Sequence, residues 1–199
     1  FLKNNSSTLI LGDNIFYGNS LSARLTHISD NNKNATIIAC LVKNPSRYGI
    51  INFNQKKEII SLQEKPINPK SKFAITGLYF YDENVVDIAK SLKPSSRGEL
   101  EITDLNNVYL EQKLLSFELM SRGDTWLDAG TNESFLEANQ FIHTIEKRQS
   151  FKIACLEEIA WLKGWISNQQ LERSALMLKG SEYGMYLYKL LNSDKNEIY

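Results

Sequence analysis

The sequence is poor in cysteine and proline, carries no excess of either charge and has no long apolar run. With only Cys40 and Cys155, a disulfide-built scaffold is excluded, and two such distant thiols make no metal clip. Lys plus Arg and Asp plus Glu number 23 each, which argues against a protein that coats nucleic acid through net positive charge. No stretch approaches the roughly 18 uninterrupted apolar residues of a membrane span. Zinc-ligand spacing and a glycine-rich phosphate loop ahead of a helix are both missing. His27 and His143 lie on expected helices with no plausible Cys or Ser partner near them in sequence, so a histidine-activated nucleophile has little support. The expectation is a cytoplasmic protein with neither membrane nor nucleic-acid partners. What is present is ordinary globular composition, 42% hydrophobic and 23% charged over 199 residues, which rules out wholesale disorder. The chain opens Phe1-Leu2-Lys3 without methionine and reaches an apolar run within a few residues, as expected of a piece of a longer chain.

Hydrophobic patterning divides the chain into an α/β part and a helical part. Thr8 to Leu11 reads as a buried strand stopped by Gly12-Asp13-Asn14, and Leu21, Leu25 and Ile28 recur at helical spacing. Ala35 to Val42 is a second continuous apolar strand, and the strand–helix–strand order predicts a parallel sheet covered on both faces. Residues 48–53, 59–63 and 73–81 are strand-like. Asp82 is placed to cap a helix lined by Val85, Ile88, Ala89 and Leu92. A helix over 102–112, a strand over 114–120, a strand end at Trp126-Leu127-Asp128 and a helix over about 132–147 follow. Beyond Cys155 the texture is helical. Ser167 and Gln170 have capping-box spacing, and Tyr183, Tyr186, Leu187 and Leu190 form a stripe expected to pack within the chain.

Candidate chemistry gathers at strand ends, where open α/β sheets bind ligands. Asp13 and Asp128 each follow an apolar strand, Asp13 directly after Gly12 and Asp128 two residues before Gly130. Two such carboxylates suit Mg²⁺, although each equally suits a turn or helix cap. Glu64-Lys65-Pro66 ends another strand. Proline predicts an extended Lys65, with Glu64 and Lys65 pointing to opposite sides, one to accept sugar hydroxyls and the other to neutralise a phosphate. A solvated ion pair would account for the same two residues. Arg97, in a loop before Gly98, is suited to phosphate recognition or to solvent, and Gly49 lets a ligand approach backbone beside Tyr48.

Six strings occur in order: Leu11 to Gly18, Arg47-Tyr48-Gly49, Glu64-Lys65-Pro66, Thr76 to Tyr81, Arg97 to Asp104 and Trp126 to Thr131. Together they resemble the sugar nucleotidylyltransferases, over essentially the whole chain. Phe16-Tyr17-Gly18 and the Arg97-to-Asp104 string favour the branch of glucose-1-phosphate thymidylyltransferases. The resemblance implies an α/β, Rossmann-like sheet flanked by helices and truncated at its amino end. Residues 1–150 would form the sugar-phosphate and metal part and 151–199 a helical tail. It implies dTTP and glucose 1-phosphate as substrates, with Mg²⁺ held by Asp13 and Asp128. The sugar would lie against Tyr48, Gly49, Glu64, Ile75, Gly77 and Tyr79, and its phosphate against Lys65 and Arg97. Asp13, Lys65, Arg97 and Asp128 would be the catalytic set.

Two departures stand beside it. The family's glycine-rich nucleotide loop and its lysine have no counterpart here, so residues 1–199 alone are expected not to turn over. Family members are homotetramers with a second nucleotide site between subunits, and Leu162 stands where a basic residue is expected in it. Two other readings remain open: a uridylyl- or cytidylyltransferase, and a noncatalytic sugar-phosphate-binding remnant.

Overall fold

The computed structural model describes Leu2, residues 5–95 and residues 97–193. These form two compact units, Phe1–Phe135 and Leu136–Tyr199. The division falls inside a helix, whereas the sequence suggests a boundary after it.

Unit 1 is built on β6 (Phe73–Tyr81), whose nine residues are buried almost throughout. On one side it pairs with β3 (Ala35–Leu41), and β3 with β7 (Leu115–Leu119). On its other side lie β1 (Ser7–Ile10) and, further along, β4 (Ile50–Phe53), which carries β5 (Ile59–Gln63). Only the β3–β7 pairing is parallel, which corrects the expected parallel sheet to a mixed one. The reason lies in the connections. No helix separates β4, β5 and β6, and parallel neighbours need a crossover of a dozen or more residues. From β6 the chain runs through α2 (Val85–Ser91) and α3 (Ile102–Glu111) to β7, which lies beyond β3, parallel to it and antiparallel to β6.

Cover on both faces is present as expected. Ile37 and Tyr79 point to a core with Val85, Leu105 and Tyr109 of α2 and α3. Their neighbours Ile38 and Phe80 point to the other face, against Leu25 and Ile28 of α1 (Leu21–Asn31). Each fully buried side chain of this kind contributes about 1.5–3 kcal/mol. Asp82 does not cap α2 directly: Asn84 occupies the cap position, and Asp82 accepts its backbone N–H (3.1 Å) and the Tyr109 hydroxyl (2.6 Å). The strand expected to be buried at residues 8–11 is largely exposed, Ile10 by 55%, because among the described residues β1 pairs on one edge only.

Apart from the main sheet, β2 (Asn14–Tyr17) pairs antiparallel with β8 (Thr125–Asp128), Asn14 opposite Asp128. This ladder carries the site. After it comes α4 (Asn132–Gln149). In unit 2, α5 (Leu156–Leu162), α6 (Asn168–Met177) and α7 (Glu182–Leu191) enclose Trp161, Leu171, Ala175, Leu187 and Leu190. The Ser167–Gln170 capping box forms in full, and Tyr183, Tyr186 and Leu162 pack on this core. Among the described residues, no helix is long and apolar enough to cross a membrane.

Candidate active site

A cavity of about 540 Å³ opens at the ends of these strands in unit 1. Nine of the ten residues singled out by sequence line it: Asp13, Tyr48, Gly49, Glu64, Lys65, Ile75, Gly77, Tyr79 and Asp128. The tenth, Arg97, stands at its margin, with its guanidinium 4.0 Å from Glu64 and paired with Glu99 (3.2 Å) and Glu101 (3.4 Å). A larger open groove, about 1410 Å³, runs along β5, α3 and β7 but gathers none of these residues. Its charges alternate between lysine and carboxylate, as on a solvated surface.

The floor of the cavity is set by close packing. A Cβ at Gly49 would lie 3.0 Å from Thr103 Oγ1 and 3.3 Å from Glu64 Oε2, so glycine is what admits these two groups. Thr103, buried in the first turn of α3, donates to Glu64 Oε2 at 2.5 Å. The carboxylate is thereby fixed by one oxygen, and its other oxygen faces Lys65 Nζ at 3.9 Å. Burial, reinforced by the Glu64 charge, pushes the Tyr79 phenol well above its ordinary range, which keeps its proton in place. Trp126 and Tyr48 form a wall, their ring centroids 4.9 Å apart.

Lys65 departs from expectation. Its φ is +39°, in the left-handed region, rather than extended, and both Lys65 and Glu64 reach the same cavity instead of opposite sides. The chain turns sharply after β5 because the Lys65 N–H bonds to the Tyr48 carbonyl at 3.1 Å, which fastens the turn to the start of β4. A non-glycine residue in this conformation is uncommon and is tolerated where surrounding bonds enforce it.

At the other end of the cavity the β2–β8 ladder brings two carboxylates together. The Ala129 N–H bonds to the Asp13 carbonyl at 2.8 Å, and a Cβ at Gly130 would lie 3.1 Å from Asp128 Oδ1 and 3.4 Å from Asp13 Oδ2. Both oxygens thus lie within 3.4 Å of one position beside Gly130, whose N–H bonds to Asp128 Oδ1 at 3.3 Å. Among the described residues no Lys, Arg or His forms an ion pair with either carboxylate. Two unneutralised hard oxygen donors fit Mg²⁺, which takes one or two carboxylates and fills its remaining positions with water or phosphate.

Sequence reasoning missed Asn14, Thr103 and Trp126 as parts of the site. All three fall inside the quoted strings, but only the pairing of β2 with β8 and the docking of α3 against Glu64 bring them to the cavity.

The arrangement offers carboxylate and phenol groups for sugar hydroxyls, an ammonium for a phosphate and a paired-carboxylate seat for a divalent cation. The chain is also similar to several known proteins. A glucose-1-phosphate thymidylyltransferase of Neisseria meningitidis is 50% identical over 191 residues, covering 96% of this chain and 66% of the relative. One from Mycobacterium tuberculosis is 48% identical over 186 residues, covering 94% and 64%. The chain therefore spans slightly less than two thirds of the length of these relatives. A Bacillus anthracis protein described as a glucose-1-phosphate thymidylyltransferase, solved with sucrose, superposes with a TM-score of 0.62 at 41% identity, over 70% of this chain and 55% of that one. A UDP-glucose pyrophosphorylase solved with UDP-glucose superposes at 0.63 with 22% identity, over 71% of this chain and 57% of that one, a likeness of fold alone. The nucleotidyl transferase pattern matches residues 1–145, the stretch that builds the mixed sheet and every residue of the cavity, and the chain belongs to the nucleotidyl transferase family.

Proposed function

We propose that the protein acts as a glucose-1-phosphate thymidylyltransferase, joining dTTP and glucose 1-phosphate to give dTDP-glucose and diphosphate, and that residues 1–199 supply the sugar-phosphate and metal side of the reaction. The observation that carries this is the cavity itself, with Glu64 and Lys65 at one end and the facing carboxylates of Asp13 and Asp128 at the other. In this reading Glu64, locked by Thr103, accepts hydrogen bonds from glucose hydroxyls, and Lys65 neutralises the sugar phosphate. A phosphate oxygen of the sugar attacks the α-phosphorus of dTTP, and the bond from that phosphorus to the bridging oxygen of the diphosphate breaks. Asp13 and Asp128 would hold Mg²⁺, which when bound spreads the charge of the nucleotide phosphates. The residues of this chain contribute mainly positioning of two anions that otherwise repel. Arg97, now held by Glu99 and Glu101, joins the sugar phosphate by exchanging those carboxylates for it. A cytoplasmic location and a homotetramer belong to the same reading.

Isothermal titration of residues 1–199 with glucose 1-phosphate tests the sugar side directly. Binding is expected, and Glu64→Gln should weaken it by about tenfold, the size of one charge-assisted hydrogen bond. Unaltered binding in that variant, or none in the parent, would contradict the assignment.

A further inference from the structure

One side chain outside the set read from sequence ties the cavity together. The Asn14 carboxamide oxygen accepts two hydrogen bonds, from the indole N–H of Trp126 (2.6 Å) and the backbone N–H of Gly77 (3.0 Å). Because both donors are N–H groups, the oxygen must face them, and the amide nitrogen is left to donate. It does so to Asp13 Oδ1 at 2.8 Å. A Cβ at Gly77 would lie 2.6 Å from Asn14 Cγ, so the glycine makes room for this amide. One carboxamide thus spans β2, β6 and β8 and ends on a carboxylate of the proposed cation pair.

We infer that Asn14 is a positioning residue for divalent-cation binding. It holds Asp13 Oδ1 so that Oδ2 faces Asp128, and its own orientation is set by Trp126 and Gly77. The inference depends on the reading of Asp13 and Asp128 as cation ligands. Neither leucine nor aspartate substitutes for it: leucine lacks every contact, and aspartate keeps the two acceptor bonds but sets a second negative charge against Asp13. Trp126 in turn reaches Tyr48, so the same amide couples the cation end of the cavity to its aromatic wall.

The test is a titration of residues 1–199 with Mn²⁺, read by the loss of the free-ion electron paramagnetic resonance signal. The thermal midpoint of each variant is measured alongside. The parent should bind Mn²⁺ and Asp128→Asn should abolish binding. Asn14→Ala should weaken it by about tenfold, the effect expected when a hydrogen-bond partner of a ligand is removed. Trp126→Phe keeps an aromatic ring and removes only the indole donor, and should weaken binding by about threefold, the lower range of a neutral hydrogen bond. If both variants bind Mn²⁺ like the parent while their thermal midpoints fall, Asn14 serves folding alone and the inference is overturned with the cation pair intact. A folded parent that does not bind Mn²⁺ overturns the cation pair as well.

Discussion

Replacing Lys65 by glycine separates two things that this residue does at once. Its ammonium serves the proposed phosphate, and its backbone holds a left-handed conformation with φ of +39°. For an L-residue that conformation costs about 1–2 kcal/mol, a penalty that glycine escapes. Against this, glycine loses about 0.5–1 kcal/mol more conformational freedom on folding than alanine. The ammonium lies 3.9 Å from Glu64 with the Lys65 side chain 50% exposed, so its loss changes stability little. Lys65→Ala is the matched control, because it removes the ammonium and keeps the backbone penalty. Lys65→Gly should therefore be more stable than Lys65→Ala by up to about 1 kcal/mol, while both lose glucose 1-phosphate binding equally. The assay is urea unfolding followed at the Trp126 indole resonance, since the other two tryptophans, Trp161 and Trp165, belong to unit 2. A glycine variant no more stable than the alanine variant would refute the claim that the turn after β5 is strained.

Two further outcomes follow from the same structure. In a protein of the full length of its relatives, Asp128→Asn should lower Mg²⁺-dependent turnover by about two to three orders of magnitude with little change in thermal midpoint, and near-normal turnover would reduce Asp128 to a turn cap. In unit 2, burial raises the Glu158 carboxyl above its ordinary value, partly opposed by the hydrogen bond from Tyr186 at 2.6 Å. The folded state thus binds this proton more tightly than the unfolded one. Its contribution is full below the ordinary carboxylate range and is lost as pH rises through the raised folded value. Glu158→Gln should flatten that decline in thermal unfolding between mild acid and neutrality, and an unchanged slope would show that Glu158 does not cause it.

Much of this architecture was legible because several segments carry a pattern that only one structure satisfies. Phe73 to Tyr81 is apolar but for Thr76 and became the central strand, and Ser167 with Gln170 formed the reciprocal cap its spacing implied. The sheet's direction was not legible, because apolar strands read alike in parallel and antiparallel sheets and only the connections distinguish them. The β2–β8 ladder was half hidden for a different reason: Trp126 to Asp128 read as a strand end, but its partner β2, four residues beginning inside a turn signal, carries too little periodicity to register. Lys65 misled because proline disfavours helical backbone before it, while the bond to Tyr48 and the turn after β5 imposed the left-handed alternative. The carboxylates were found by their place at strand ends. Asn14 was not, since an amide beside an aspartate looks like turn chemistry until Trp126 and Gly77 arrive from distant strands.

The most direct test of the proposed activity is diphosphate release by a protein of the full length of these relatives, with glucose 1-phosphate and Mg²⁺ fixed and dTTP, UTP and CTP supplied in turn. The proposed function predicts release strongest with dTTP. Strongest release with UTP or CTP would move the protein to another nucleotide branch, and no release with any of the three from folded protein would contradict the proposed reaction.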